Sequence, residues 1–217
     1  MSIDPSGLYT ATGICSDTMS FPSKDITIVK DPEVAKLFAD ETRRRILHML
    51  RHQEMSGTEI AKALDRNHSS VQHHLSLLRE AGLVEVTREE KVRNMVQPYY
   101  RATAHSFIIS YSLSESLAKD DGYTQWREDL NRRMFEGLGT LGITVSEENK
   151  PAVMELLGRC YEMERKAFEE TVEQQSDPGE LDRDVERALL RLMAHLKLSR
   201  NDEHQAAIAS LYQLLGP

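Results

Sequence analysis

Ser56 to Leu83, SGTEIAKALDRNHSSVQHHLSLLREAGL, carries two helices, the turn between them and the signal that stops the second. Its first four residues have the form of a capping box. The Ser56 hydroxyl can accept from the amide of Glu59, and the Glu59 carboxylate can reach back to Ser56. Ile60, Ala61 and Leu64 then recur at helical spacing, enough apolar surface for a short helix. Asp65-Arg66-Asn67 reads as the turn, and Asn67 is a good N-cap for a second helix with Val71, Leu75 and Leu78 facing inward. Ala81-Gly82 ends that helix, because glycine accepts the left-handed conformation just past a helix terminus.

The outward face of the second helix is His68, Ser69, Ser70, Gln72, His73, Ser76 and Arg79. Lys and Glu, the usual residues of a solvated helix face, are largely missing. Short hydroxyls, amides and imidazoles can approach base edges closely and present donors and acceptors in fixed directions. Leu83 to Arg88 reads as a strand and Val96 to Ala102, with Tyr99 and Tyr100, as its return; Arg88, Lys91 and Arg93 are assigned to the loop between them. Two helices followed by such a hairpin predict a mainly α fold with a small β-wing.

Upstream, Asp31-Pro32 opens another helix, with Asp as cap and Pro at the first position. Its apolar residues are Val34, Leu37, Phe38, Ile46, Leu47 and Leu50, and a break is expected near Asp40. Asp31-Pro32-Glu33-Val34 and the run from Phe38 through Asp40-Glu41-Thr42-Arg43-Arg44-Arg45 to Leu47 resemble the opening helix of winged-helix repressors of the ArsR type. Ser70-Val71-Gln72-His73-His74-Leu75, with Leu78-Arg79-Glu80-Ala81-Gly82-Leu83-Val84, resembles that family's recognition helix and its exit. The likeness covers residues 26–103, and the long helical tail resembles archaeal ArsR-like regulators. The resemblance implies a dimeric, DNA-binding transcriptional regulator, a repressor in the family's usual form.

In a helix-turn-helix the second helix enters the major groove and its N-terminal residues meet base edges. That makes His68, Ser69, Ser70, Gln72 and His73 the candidates for reading sequence, Gln72 foremost because its amide can pair bidentately with adenine. Arg88, Lys91 and Arg93 are the candidates for phosphates or a narrow minor groove, with Ser56, Thr58 and Arg66 adding backbone contacts. One such module spans few base pairs, so a homodimer is expected, formed through the C-terminal helices. A second reading is a winged-helix docking module for another protein, with no sequence-specific DNA binding of its own. The polar face of the second helix argues against it.

The chain divides into three expected parts: a mobile arm over residues 1–25, a winged helix-turn-helix domain over 26–103, and a helical dimerisation or effector region over 104–217. The net charge is -8, yet residues 30–103 hold 13 Lys and Arg against 11 Asp and Glu, while the rest of the chain holds 14 against 24. A slightly basic segment beside an acidic one would orient the protein on a duplex. Cys15 and Cys160 lie far apart and imply no disulfide scaffold. With neither a signal segment nor an apolar run long enough to span a bilayer, a cytoplasmic protein without membrane contact is expected.

Beyond the wing, Ser106 to Tyr111 fits either a strand or the start of a helix, and Trp126 to Leu138 reads as helical. A long helix from about Ser146 to Gln174 carries the stripe Met154, Leu157, Tyr161, Phe168 and Val172. After a break at Asp177-Pro178-Gly179 comes the stripe Leu181, Val185, Ala188, Leu192 and Leu196, and after Arg200-Asn201-Asp202 a last helix with Ile208, Leu211, Tyr212 and Leu215. Leu157, Tyr161, Phe168 and Leu192 are read as core, with room for an unidentified effector among them. His48 with His52, and His73 with His74, are read as surface histidines, because no Cys or carboxylate cluster completes a metal set. No cofactor is expected. The glycines at 137, 139 and 142 are read as a helix end, Cys160 as a small buried residue, and Arg43-Arg44-Arg45 as a solvated or ion-paired face. No nucleophile, base and orienting group share a spacing that would indicate an enzyme.

Overall fold

The computed structural model describes residues 24–92, 95–175 and 181–215. The expected arm up to residue 23, Arg93 and the Asp177-Pro178-Gly179 break lie outside the described residues. Strand β1 (Lys24–Val29) leads into α1 (Pro32–Lys36), a 3-10 turn (Leu37–Ala39) and α2 (Glu41–Leu50). The break at Asp40 is present: this residue is extended, and its carboxylate caps α2 by accepting from the Arg43 amide at 2.8 Å. Two of the three consecutive arginines turn inward. Arg43 donates to the Leu37 carbonyl at 2.6 Å, and Arg44 to those of Phe38 and Ala39 at 2.6 and 2.8 Å. They satisfy carbonyls that the kink strips of helical partners, so the reading of that run as a solvated or ion-paired face holds in full for none but Arg45.

Strand β2 (Met55–Ser56), α3 (Gly57–Leu64), α4 (His68–Glu80), β3 (Val84–Val92) and β4 (Met95–Ala102) follow, and β2, β4 and β3 form an antiparallel sheet in that order. The ambiguous stretch after the wing is β5 (Ala104–Ile109), paired in parallel with β1. A parallel pair needs a long crossover, and here the crossover is the whole helix-turn-helix and wing. One core holds these pieces together. Ile46, Leu50, Ile60, Val71, Leu75 and Leu78 are at most 1% exposed, and the same cluster extends to Val29, Ile109, Leu117 and Tyr123.

Helix α4 ends in a Schellman motif. Leu83 N–H donates to Leu78 O at 2.9 Å and Gly82 N–H to Arg79 O at 3.0 Å, with Gly82 at φ 69°. The turn aims β3 back across the domain and buries Leu83 beside Leu78.

A 3-10 turn (Tyr111–Leu113), α5 (Ser114–Leu117) and α6 (Asp121–Gly137) lead to the glycine-rich segment, a 3-10 turn ending at left-handed Gly142. Helices α7 (Lys150–Glu173), α8 (Arg183–Leu198) and α9 (Asp202–Leu215) complete the chain, with α7 packed on α6, α8 and α9. Both expected stripes need correction. On α7 the buried line is Val153, Cys160, Ala167 and Thr171, one position from the expected Met154, Tyr161, Phe168 and Val172, which with Leu157 are half-buried. Neighbours on several sides favour small residues at the centre of contact and leave larger ones on its flanks. On α8 the buried residues are Leu190, Ala194 and Leu198, whereas Val185, Leu192 and Leu196, and Leu181 just before the helix, are each about half exposed. Cys160 is buried, as expected, and its surroundings push the thiol pKa up.

The helices are tied to the β1–β5 sheet by polar contacts. Glu169, 7% exposed, accepts from Ser110 Oγ at 2.5 Å and Tyr111 N at 2.6 Å, and Arg187 grips Asp25 at 2.7 and 3.0 Å. None of the described helices is long and apolar enough to cross a membrane.

No atom lies within 4 Å of a Cβ added at Gly82. Gly82→Ala therefore imposes only left-handed strain, and a stability loss of about 1 kcal/mol is expected. A urea titration should give a lower midpoint at unchanged slope; an unshifted midpoint would contradict the assigned cap.

Candidate nucleic-acid interface

The capping box at the start of α3 is complete: Glu59 N–H donates to Ser56 Oγ at 3.3 Å, while Ser56 N–H and its hydroxyl both donate to Glu59 Oε2 at 2.8 Å. Ser56 is fully buried. Its expected role as a backbone contact is therefore corrected, because both its surface and its hydroxyl are used inside the protein. Thr58, two residues further, is exposed. Arg66 is exposed in the turn, next to Asp65, which takes the left-handed conformation at φ 51°.

Asn67 caps α4, accepting from Ser69 N at 2.9 Å and from Ser69 Oγ at 2.8 Å. With Val71, Leu75 and Leu78 buried, His68, Ser69, Ser70 and His73 stand in solvent, and Gln72 is half-buried beside them. The Gln72 amide nitrogen lies 3.3 Å from His68 Nε2. Beneath it is Gly57, where a Cβ would fall 2.1 Å from that same nitrogen. Glycine at the first position of α3 thus lets the α4 amide lie across it. The sequence reading gave Gly57 no such role, since the contact joins two helices and leaves no periodic trace.

The wing differs from expectation. Arg88 and Lys91 sit within β3 rather than in a loop, because the ladder continues to the Val92–Met95 pair. A bulge between Val86 and Arg88 turns Thr87 toward Glu54, to which its hydroxyl donates at 2.6 Å. Arg88 is held from several sides. It pairs with Glu54 at 2.5 Å and with Glu90, and its guanidinium lies 3.6 Å from the centre of the Tyr99 ring. Glu54, whose carboxyl is kept below the usual range by Thr87 and then Arg88, escaped the sequence reading because a two-residue strand has no pattern to read. Lys91 is exposed and pairs with no carboxylate among the described residues. Met95 and Val96, 76% and 60% exposed, lie toward the tip.

His48 and His52 meet edge to face at 5.4 Å, and the positive charge of Arg51 lowers the His48 pKa. Among the described residues no three His, Cys, Asp or Glu converge as a metal set.

Residues 38–87 match the family described as a helix-turn-helix domain. The transcriptional repressor SdpR of Bacillus subtilis is 34% identical over 56 residues, which are 26% of this chain and 62% of that relative's length. Among solved structures, reduced HlyU of Vibrio cholerae is 31% identical over 33% of this chain and 70% of its own, with a TM-score of 0.28. The transcriptional regulator HlyU of Vibrio vulnificus is 35% identical over 32% and 67%, with a TM-score of 0.27.

His74 lies on the inner edge of α4, and burial lowers its pKa; its Nδ1 is buried with no hydrogen-bond partner. The folded state therefore favours neutral His74, while the unfolded chain takes a proton near the ordinary value of about 6.5. Its contribution to stability is present above that pH and is lost as pH falls below it. Thermal melts from neutral pH to about pH 5 should show an acid slope that His74→Gln flattens. An identical slope in the variant would refute this assignment.

Proposed function

We propose that this chain is an ArsR-type winged helix-turn-helix transcriptional regulator that binds double-stranded DNA sequence-specifically as a homodimer. The observation that carries the reading is the row His68, Ser69, Ser70, Gln72 and His73 at the N-terminal half of α4, held clear of the core by Val71, Leu75 and Leu78 on the opposite face. Placed in a major groove, that row meets base edges, and a Gln72–adenine pair contributes about 1–3 kcal/mol of discrimination. Thr58 and Arg66 flank it, where the duplex backbone would pass.

The wing supplies phosphate or minor-groove contact through Lys91 and Arg93. Arg88, paired with Glu54 and Glu90, acts first as a brace that stiffens the hairpin, and its phosphate role requires exchange of those carboxylates. Dimerisation runs through α8. Its outer face exposes Val185, Leu189, Leu192 and Leu196, each close to half exposed, at the spacing of a helix-packing seam, with exposed Leu181 just before the helix. A second copy of the same face is its natural cover, and a two-fold pair of recognition helices then matches half-sites about one helical turn apart.

Gln72→Ala should change which sequence is preferred. Lys91→Ala should weaken all sequences alike and reduce the salt slope by about 0.9 per lost phosphate contact. Fluorescence anisotropy against operator and random DNA across a salt series separates the two, and equal losses on both DNAs for Gln72→Ala would refute base reading. For the dimer, Leu192→Glu is expected to leave the circular dichroism spectrum unchanged and to convert the protein to a monomer in sedimentation; a persisting dimer would exclude α8 as the interface.

A further inference from the structure

A cavity of about 780 Å³ opens between the β1–β5 sheet, α6, α7 and α8. That size lies within the range of sites that hold small organic ligands. Its apolar lining is markedly aromatic. Phe38, Phe107 and Phe168 are three of the chain's five phenylalanines, and Trp126 is its only tryptophan. Four guanidinium groups, from Arg127, Arg165, Arg187 and Arg191, line the same space against a single lining carboxylate, Glu164.

The carboxylates behind the wall are shared. Asp25 serves Arg187 at 2.7 Å and Arg183 at 3.1 Å, and Glu162 serves Arg165 at 3.2 Å as well as Arg127. Arg191 has no hydrogen-bond or ion-pair partner among the described residues, and Arg165 keeps a buried Nε–H with no acceptor. The Arg165 guanidinium is partly buried and incompletely compensated, a cost that an incoming anion lowers, while Arg191 is exposed and open to a second contact with the same anion. Aromatic faces beside fixed cations suit a planar apolar body that carries one acidic group.

We propose that this cavity binds a small amphipathic aromatic anion, its rings seated among Phe38, Phe107, Trp126 and Phe168 and its acidic group on Arg165 and Arg191, and that such a ligand is the regulator's effector. The effector role rests on the DNA-binding reading above; the site does not. The walls join the two parts of the protein. Phe38 lies in the turn before α2, where Arg44 holds its carbonyl at 2.6 Å and lies 5.4 Å from the centre of the Trp126 ring. Arg191 belongs to α8, whose outer face carries the apolar seam. A ligand that binds one spacing of these walls more tightly than another shifts α2 and α8 together.

The test uses the full chain and two dyes of the same aromatic body, anilinonaphthalene sulfonate and its uncharged counterpart phenylnaphthylamine. Energy transfer from Trp126, the only tryptophan, reports occupancy near the cavity. Saturable transfer to the sulfonate is expected, with the neutral dye weaker by about tenfold. Arg191→Gln, at a residue with no partner to lose among the described residues, should abolish that preference, and Arg165→Gln should do the same if it folds. Leu192→Ser, on the outer face, should leave the preference intact. Equal affinity for both dyes, or a preference unchanged in Arg191→Gln, would overturn the site. With the site established, adding the sulfonate to a protein–DNA titration should shift the DNA affinity. A protein that binds DNA with unaltered affinity overturns the effector role alone, and one with no DNA affinity overturns the DNA-binding reading while the site stands.

Discussion

Burial of Val71, Leu75 and Leu78 on one face of α4 is the constraint from which the rest of the interface follows. Each is 1% exposed or less, and a buried aliphatic side chain of this size contributes about 1.5–3 kcal/mol. Rotating α4 to hide its hydroxyls and imidazoles would expose all three and leave polar groups without water. The outward row is thus set by the inward one. Its two ends are fixed separately, by Asn67 at the start and by the Gly82 Schellman turn at the finish, so the helix has neither axial nor rotational freedom relative to the core it packs on.

The parallel β1–β5 pair closes this domain and connects it to the helices beyond. A helix-turn-helix with its wing could stand as an open chain excursion, but Val29 and Ile109 enter the same core as Ile46 and Leu75. The far side of the pair is gripped through Asp25, which takes Arg187 from α8, and through the end of β5, where Glu169 of α7 holds Ser110 and Tyr111. These contacts are polar and partly buried, so they act more as fixed-geometry links than as a large apolar interface. Such links can be shifted by charge without dissolving either core.

Legibility in the sequence followed the range of the interactions involved. The capping box, the Asn67 cap, the break at Asp40, the Gly82 exit and the inward residues of α4 depend on neighbours within a few positions, and all were readable. Features set by contacts far along the chain were not. The β1–β5 pairing joins residues about 80 positions apart, and nothing in a short apolar run at 106–111 specifies a parallel partner. The Glu54–Arg88 pair spans 34 residues and depends on a bulge. On α8 periodicity correctly found an apolar stripe but could not tell which of two apolar faces meets its own chain; small Ala194 allowed the closer approach to α7 and left Leu192 outside. For the base-reading row, local signals placed the residues, while the support of Gln72 by Gly57 needed the packing of one helix on another.

The charge distribution explains why an apolar seam matters for a protein of this kind. Strand β3 carries Glu85, Glu89 and Glu90 beside Arg88 and Lys91, and its arginine is already paired, so the wing is a weak attractor of phosphate. Arg43 and Arg44 are spent on backbone carbonyls within the kink. The exposed cations of α3, α4, their turn and the wing that pair with no carboxylate among the described residues are Lys62, Arg66, Arg79 and Lys91, and each phosphate contact contributes a modest, salt-screened share of affinity. With so few charges, a single subunit would have a modest hold on DNA beyond the proposed base-reading row. In the proposed dimer, pairing two subunits through α8 would double that row without adding basic charge, which would raise affinity for a two-fold operator far more than for arbitrary sequence. On that reading, acidic helices outside the duplex would suppress the remaining nonspecific attraction, so an arrangement unfavourable for binding DNA in general would favour discrimination between DNAs.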